Sequence, residues 1–102
     1  MAKPIFNIYD RSDYRIVKFD IPGGITTPEE FATAVQAIEA QLVGSFMLLI
    51  NGRGPVWGYG MIFHAAHPTR AIATYDPRLG YVVIQTHHTA FTIGQILNDP
   101  EV

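Results

Sequence analysis

Five consecutive apolar residues, Phe46-Met47-Leu48-Leu49-Ile50, place the tightest limit on how this chain can fold. A strand in a half-solvated sheet alternates apolar and polar side chains. A strand with no polar residue is covered on both faces, so this run belongs at the centre of a sheet. No stretch approaches the roughly 18 apolar residues of a membrane helix. With 102 residues, 48% hydrophobic and 16% charged, the chain suits a single globular domain spanning residues 1–102.

The flanking segments supply the rest of the sheet and its cover. Residues 4–9 (PIFNIY) and 14–21 (YRIVKFDI) read as strands, with DRSD as the turn of a hairpin. Pro22, Gly23 and Gly24 break the second strand. A helix is predicted over 28–43. Thr27 is a suitable N-cap, Pro28 fits the first helical position, and Glu30 completes a capping box. Phe31, Val35, Ile38 and Leu42 form one apolar stripe, and Gly44 stops the helix. After the turn NGRGP, VWGYGMIFHAAH reads as a second helix ending near His67, weakened by Gly58 and Gly60. AIATYD (71–76) and YVVIQTH (81–87) pair as a hairpin around a four-residue turn, Pro77 to Gly80. The tail, 91–99, is predicted as a short helix or strand. The order β-β-α-β-α-β-β gives an α+β sheet with helices on one or both faces, for which a ferredoxin-like arrangement is the first expectation.

Charge narrows the partners. The net charge is −2, with seven Lys and Arg in all. Proteins that coat long nucleic acid carry a basic surface, so long double-stranded nucleic acid is not expected, and any phosphate is bound at a small local site. No membrane association is expected either. The absence of cysteine excludes disulfides, thiolate metal sites and cysteine nucleophiles. The first residues, MAKPIFNIYD, contain one lysine and no long apolar stretch, so no signal peptide is expected. Both features fit a cytoplasmic chain.

Three groups of residues can carry chemistry. Gly52-Arg53-Gly54 follows a strand and opens a helix, where backbone N–H groups and a guanidinium can hold a phosphate. It also reads as a plain tight turn with a surface arginine. All four histidines, His64, His67, His87 and His88, fall within 25 positions. His64 and His67 share a helix face, and imidazole serves both as a ligand for divalent transition metals and as a general base. Either can equally be a solvated residue suited to the helix C-terminus. His87 ends a core strand and can reach that helix end, whereas His88 points to the opposite face. Asp76 and Arg78 lie at the hairpin turn, where an Asp also serves simply to cap backbone amides.

The hairpin keeps these groups apart. With Asp76 opposite Tyr81, His87 lies six residues up the strand, about 20 Å away at 3.3 Å per residue. One chain therefore presents two half-sites, His67 with His87 at one end and Asp76 with Arg78 at the other. A single centre using both requires a head-to-tail contact between protomers.

Four motifs in order, GRGPVW (52–57), the histidine-bearing segment 64–67, YDPRLG (75–80) and VVIQTH (82–87), resemble the third family of ring nucleases of type III CRISPR systems. The resemblance is strong over residues 46–88 and extends to the N-terminal half only in element order. It implies a small ferredoxin-like protein that uses Mn²⁺ to degrade cyclic tetra-adenylate to short linear adenylates, switching off the antiviral response. It also implies homodimers assembling into tetramers or longer stacks that sandwich the cyclic ligand. The family's positions fall on His67, Asp76, Arg78 and His87 as catalytic residues, with His67, Asp76 and His87 as metal ligands. Arg78, Arg53, Gly52 and Gly54 fall on the substrate-binding positions. Pro68 departs from the pattern, in which a second imidazole beside His67 is expected in some relatives. Two other functions use the same residues. One is a non-catalytic sensor of cyclic oligoadenylate, and the other is a Mn²⁺-dependent exoribonuclease acting on RNA 3′ ends.

Overall fold

The apolar run becomes β3 (Met47–Gly52), whose first four residues are all buried. The computed structural model describes residues 2–98. β3 lies within one six-stranded sheet with β1 (Ile5–Asp10), β2 (Tyr14–Asp20), β4 (Ala71–Asp76), β5 (Gly80–Thr86) and β6 (Ile96–Leu97). The strands follow chain order across the sheet. β2, β3 and β4 are parallel, while β1, β5 and β6 are each antiparallel to their neighbours. Each parallel step needs a crossover. Helix α1 (Pro28–Ile38) supplies the first and α2 (Val56–Ala66) the second.

Both helices cover the same face. Val17, Phe19, Leu48, Ile50 and Ile72 of the sheet form one buried cluster with Phe31 and Val35 of α1 and Ile62 and Ala66 of α2. The other face carries Ile16, Met47, Leu49, Ala71, Ala73, Tyr81 and Val83, against which Phe91 and Leu97 of the tail pack. The two-sided cover that the apolar run demands thus comes from helices on one side and the chain's own tail on the other. The class is α+β, as expected. One sheet with two helices on one face is the layer composition of a ferredoxin-like arrangement. Among the described residues no helix is long and apolar enough to cross a membrane.

Local chemistry accounts for the helices. Thr27 caps α1, its Oγ1 accepting from the Glu30 N–H at 3.1 Å and donating to the Glu30 carboxylate at 3.2 Å. The α-helix ends at Ile38 rather than at 43. A 3-10 turn over Glu39–Leu42 tightens the exit and delivers Leu42 into the core. Gly58, a weak helix former, sits where α2 meets α1, and a Cβ there would lie 2.9 Å from the Phe31 ring. Its cost in helix propensity is offset by the close approach it permits.

Two expectations at the C-terminal side shift slightly. Asp76 pairs with Gly80, not Tyr81, so the β4–β5 turn has three residues, Pro77 to Leu79. Gly80 closes it at φ +102°, a left-handed position that admits Gly into the first place of the strand. The tail forms β6, which pairs with β5 through Tyr81–Leu97 and Val82–Ile96. Residues 99–102 lie outside the described residues, including position 99 of the predicted tail element.

Candidate functional site

The β4–β5 ribbon carries candidate residues at both of its ends. At the first, His67 is the C-cap of α2, its N–H donating to the His64 carbonyl at 3.3 Å. Two long-range bonds fix the chain beside it. Gln85 Nε2 donates to the His67 carbonyl at 2.6 Å, and the His87 N–H donates to the Arg70 carbonyl at 2.8 Å. Between these, Thr69 is fully buried and bonds Gly44 twice, donating to its carbonyl at 2.8 Å and accepting from its N–H at 3.0 Å. The result holds the His67 and His87 rings 6.0 Å apart, centre to centre, at 78°. Both residues are exposed.

The other two histidines divide as their positions suggest. His64 lies on the His67 face of α2, and the two line a 730 Å³ cavity between the helices with Gln36 and Glu39 of α1 and its exit. His88 turns to the other side. Its Nδ1 accepts from the Ala90 N–H at 2.9 Å and its ring packs on Phe91 at 5.7 Å. It shapes the bend into the tail.

At the second end, Asp76 builds the turn. Its Oδ1 accepts from the Arg78 N–H at 2.8 Å and the Leu79 N–H at 3.2 Å. Among the described residues these bonds leave Oδ2 unengaged. The Arg78 guanidinium stands 3.7 Å from the same Oδ1, with its side chain 87% exposed. An exposed contact of that length is worth under about 1 kcal/mol, so Arg78 is free to turn to an anion.

The Arg53 turn lies at this same end of the sheet, after the C-terminus of β3. Its glycines are explained by packing. A Cβ on Gly52 would lie 2.5 Å from the Phe19 ring, and one on Gly54 would lie 2.7 Å from it. Tyr59, one helical turn into α2, donates its hydroxyl to the Gly52 carbonyl in a short hydrogen bond. Burial pushes the Tyr59 phenol above its ordinary pKa, against the opposing pull of the Gly52 carbonyl and Thr74. The phenol therefore stays protonated at neutral pH and keeps donating. Arg53 itself is exposed. Pro55, the N-cap of α2, offers the first-turn amides no side-chain acceptor.

The register sets the distance between the two ends. β5 runs seven residues from Gly80, opposite Asp76, to Thr86, opposite Ala71. That is about 20 Å of strand, and His87 lies beyond it. Among the described residues no three His, Asp or Glu side chains are grouped so as to hold a metal ion. One chain therefore offers an imidazole pair at one end and a carboxylate with a guanidinium at the other. The pair suits a first-row divalent ion in ligand type, and a carboxylate oxygen would complete such a set. Rings 6.0 Å apart can bracket one ion, since each ligating nitrogen stands about 2 Å from the metal. His67, His87, Asp76 and Arg78 do not meet within a single chain.

Sequence patterns carried no signal for Thr69, Gln85 or Tyr59, which set these geometries through bonds to distant backbone. Trp57 was visible as the sole tryptophan, two residues after GRGP. It packs edge-on against Phe31 with 5.8 Å between ring centres and stays 39% exposed.

Comparison with known proteins brings two findings. The profile of a CRISPR-associated family, Cas_csx3, matches residues 25–98. An uncharacterized protein of Aquifex aeolicus (strain VF5) is 32% identical over 88 residues, covering 83% of this chain and 78% of that protein.

Proposed function

This chain belongs to the Cas_csx3 family of CRISPR-associated proteins, and from that premise we propose that it is a metal-dependent ring nuclease. Its substrate in this reading is cyclic tetra-adenylate, cleaved to short linear adenylates to end antiviral signalling. The observation that carries the reading is the division of four chemically matched side chains between the two ends of one ribbon. A cyclic ligand with four phosphates, held between stacked protomers, faces the histidine end of one and the aspartate end of the next.

Each residue then has a role. His67 and His87, with Asp76 of a second protomer, would hold Mn²⁺. Held there, such an ion would supply positive charge at the phosphate or lower the pKa of a bound water. As the alternative to completing that shell, Asp76 would use its unengaged Oδ2 to accept a proton from the attacking hydroxyl or water. Arg78 swings onto the phosphate with a two-pronged hydrogen bond and stabilises the charge that develops there. Arg53 binds a neighbouring phosphate, and Tyr59 fixes the turn that carries it.

Incubating the protein with cyclic tetra-adenylate, with and without Mn²⁺, tests this directly. Linear adenylates are expected only with the metal. Ligand that binds and returns intact in both arms would identify a sensor instead. Faster shortening of linear polyadenylate than of the ring would identify an exoribonuclease.

A further inference from the structure

Beside the Arg53 turn lies a cavity of about 600 Å³, walled by Asp20, Ile21, Ile25, Thr26, Arg53 and Trp57 among others. We infer that this cavity binds one nucleotide unit, with Trp57 stacking the base, Arg53 holding the adjoining phosphate and Thr26 bonding the base edge. Its volume lies in the range of small-ligand sites.

Three observations converge on it. Trp57 is a large aromatic left 39% exposed, yet its ring is already ordered by edge-on packing against Phe31. A pre-ordered indole stacks a base with little further loss of freedom, and base–aromatic stacking tolerates any base. Among the described residues the Arg53 guanidinium makes no hydrogen bond or ion pair, so its donors are available to a phosphate. Thr26 Oγ1 is buried and has no hydrogen-bond partner among the described residues. An unpaired buried hydroxyl is costly, and a base edge in the cavity relieves it.

Asp20 fixes the orientation. Its carboxylate repels a phosphate and accepts from an exocyclic amine, so the base faces Asp20 and the phosphate faces Arg53. Adenine, cytosine and guanine carry such an amine and uracil does not. The choice of adenine among the three rests on the ring-nuclease reading above, whereas the cavity itself does not depend on it.

Trp57 is the only tryptophan among five tyrosines, so fluorescence excited selectively at the indole reports on this cavity. The experiment titrates metal-free, full-length protein with adenosine 5′-monophosphate. Saturable quenching is expected. The half-saturating concentration should rise at least tenfold in Arg53→Gln, and by a similar factor for adenosine, which lacks the phosphate, or uridine 5′-monophosphate, which lacks the amine. Thr26→Val should weaken binding several-fold without lowering the melting temperature. Quenching that does not saturate, or that has the same midpoint in Arg53→Gln and for adenosine, overturns the inference. No bond is cleaved and no metal is present. Failure here therefore leaves the cleavage experiment standing, and failure to cleave the ring leaves this site standing.

Discussion

The two ends of the β4–β5 ribbon are built by opposite means. The aspartate end is local. Asp76, Pro77 and Gly80 lie within five positions, and the turn closes through Asp76 bonds to the Arg78 and Leu79 amides. The histidine end is assembled from afar. Thr69 reaches back 25 residues to Gly44, and Gln85 reaches back 18 to His67. A locally encoded turn holds its shape wherever a hairpin forms, so it can present Asp76 and Arg78 to another molecule. A pair of rings on two different elements keeps its spacing only while the whole sheet–helix junction is intact. The histidine end should therefore be the more sensitive to global stability, and the aspartate end the more tolerant.

The largest expected effects are on cleavage, where the two ends should behave alike. His67→Ala and Asp76→Ala should each reduce Mn²⁺-dependent cleavage of cyclic tetra-adenylate by about 100-fold or more, the scale of a lost acid–base or metal-ligand group. Single-turnover assays on variants with native circular dichroism would measure this. Wild-type rates in either variant would remove that end from the reaction.

Stability should then separate the ends. Thr69→Val removes the acceptor of the half-buried Gly44 N–H, while the Gly44 carbonyl keeps the Arg70 N–H, and should cost about 1–2 kcal/mol, seen as a lower midpoint in urea. Broadened or shifted His67 and His87 imidazole resonances should accompany the loss. Gly80→Ala strains a backbone at φ +102° and brings a Cβ within 2.8 Å of the Leu97 carbonyl. It should cost about 1–2 kcal/mol and leave the histidine resonances in place. Equal perturbation of both ends by both variants would break the contrast.

The smallest effect concerns the β1–β2 hairpin, whose turn lies at the histidine end. Hydrogen bonding to Arg15 holds the exposed Asp10 carboxyl below its ordinary pKa. A depressed folded-state pKa stabilises above the unfolded value and is lost as pH falls through the folded one. Asp10→Asn should flatten the acid limb of the stability curve slightly, and pH-dependent urea melts of the two proteins would resolve it.

What the sequence made legible follows the same division. The Asp-Pro turn, the Thr27–Glu30 cap and the central apolar strand rest on chemistry within a few residues, and each forms as an element of the expected type. The turn boundary was off by one because Gly80 can occupy either the loop or the strand. The α1 exit differed because the chain tightens into a 3-10 turn over Glu39–Leu42 while still burying Leu42, and no local pattern in IEAQL encodes that tightening. Around the Arg53 turn, the glycines suggested a phosphate approach, whereas Phe19 beneath them supplies a steric reason that depends on β2. The separation of the two half-sites was legible from strand arithmetic. The partners that orient them, Thr69 and Gln85, were not, because a long-range hydrogen bond leaves no periodic trace.

Mixing inactive variants tests the split centre most directly. His67→Ala chains keep an intact aspartate end, and Asp76→Ala chains keep an intact histidine end. If centres form head to tail between randomly mixed protomers, one junction in four has both intact halves, so an equal mixture should recover about a quarter of wild-type cleavage. Activity no greater than that of the separate variants at every mixing ratio would contradict a centre shared between protomers.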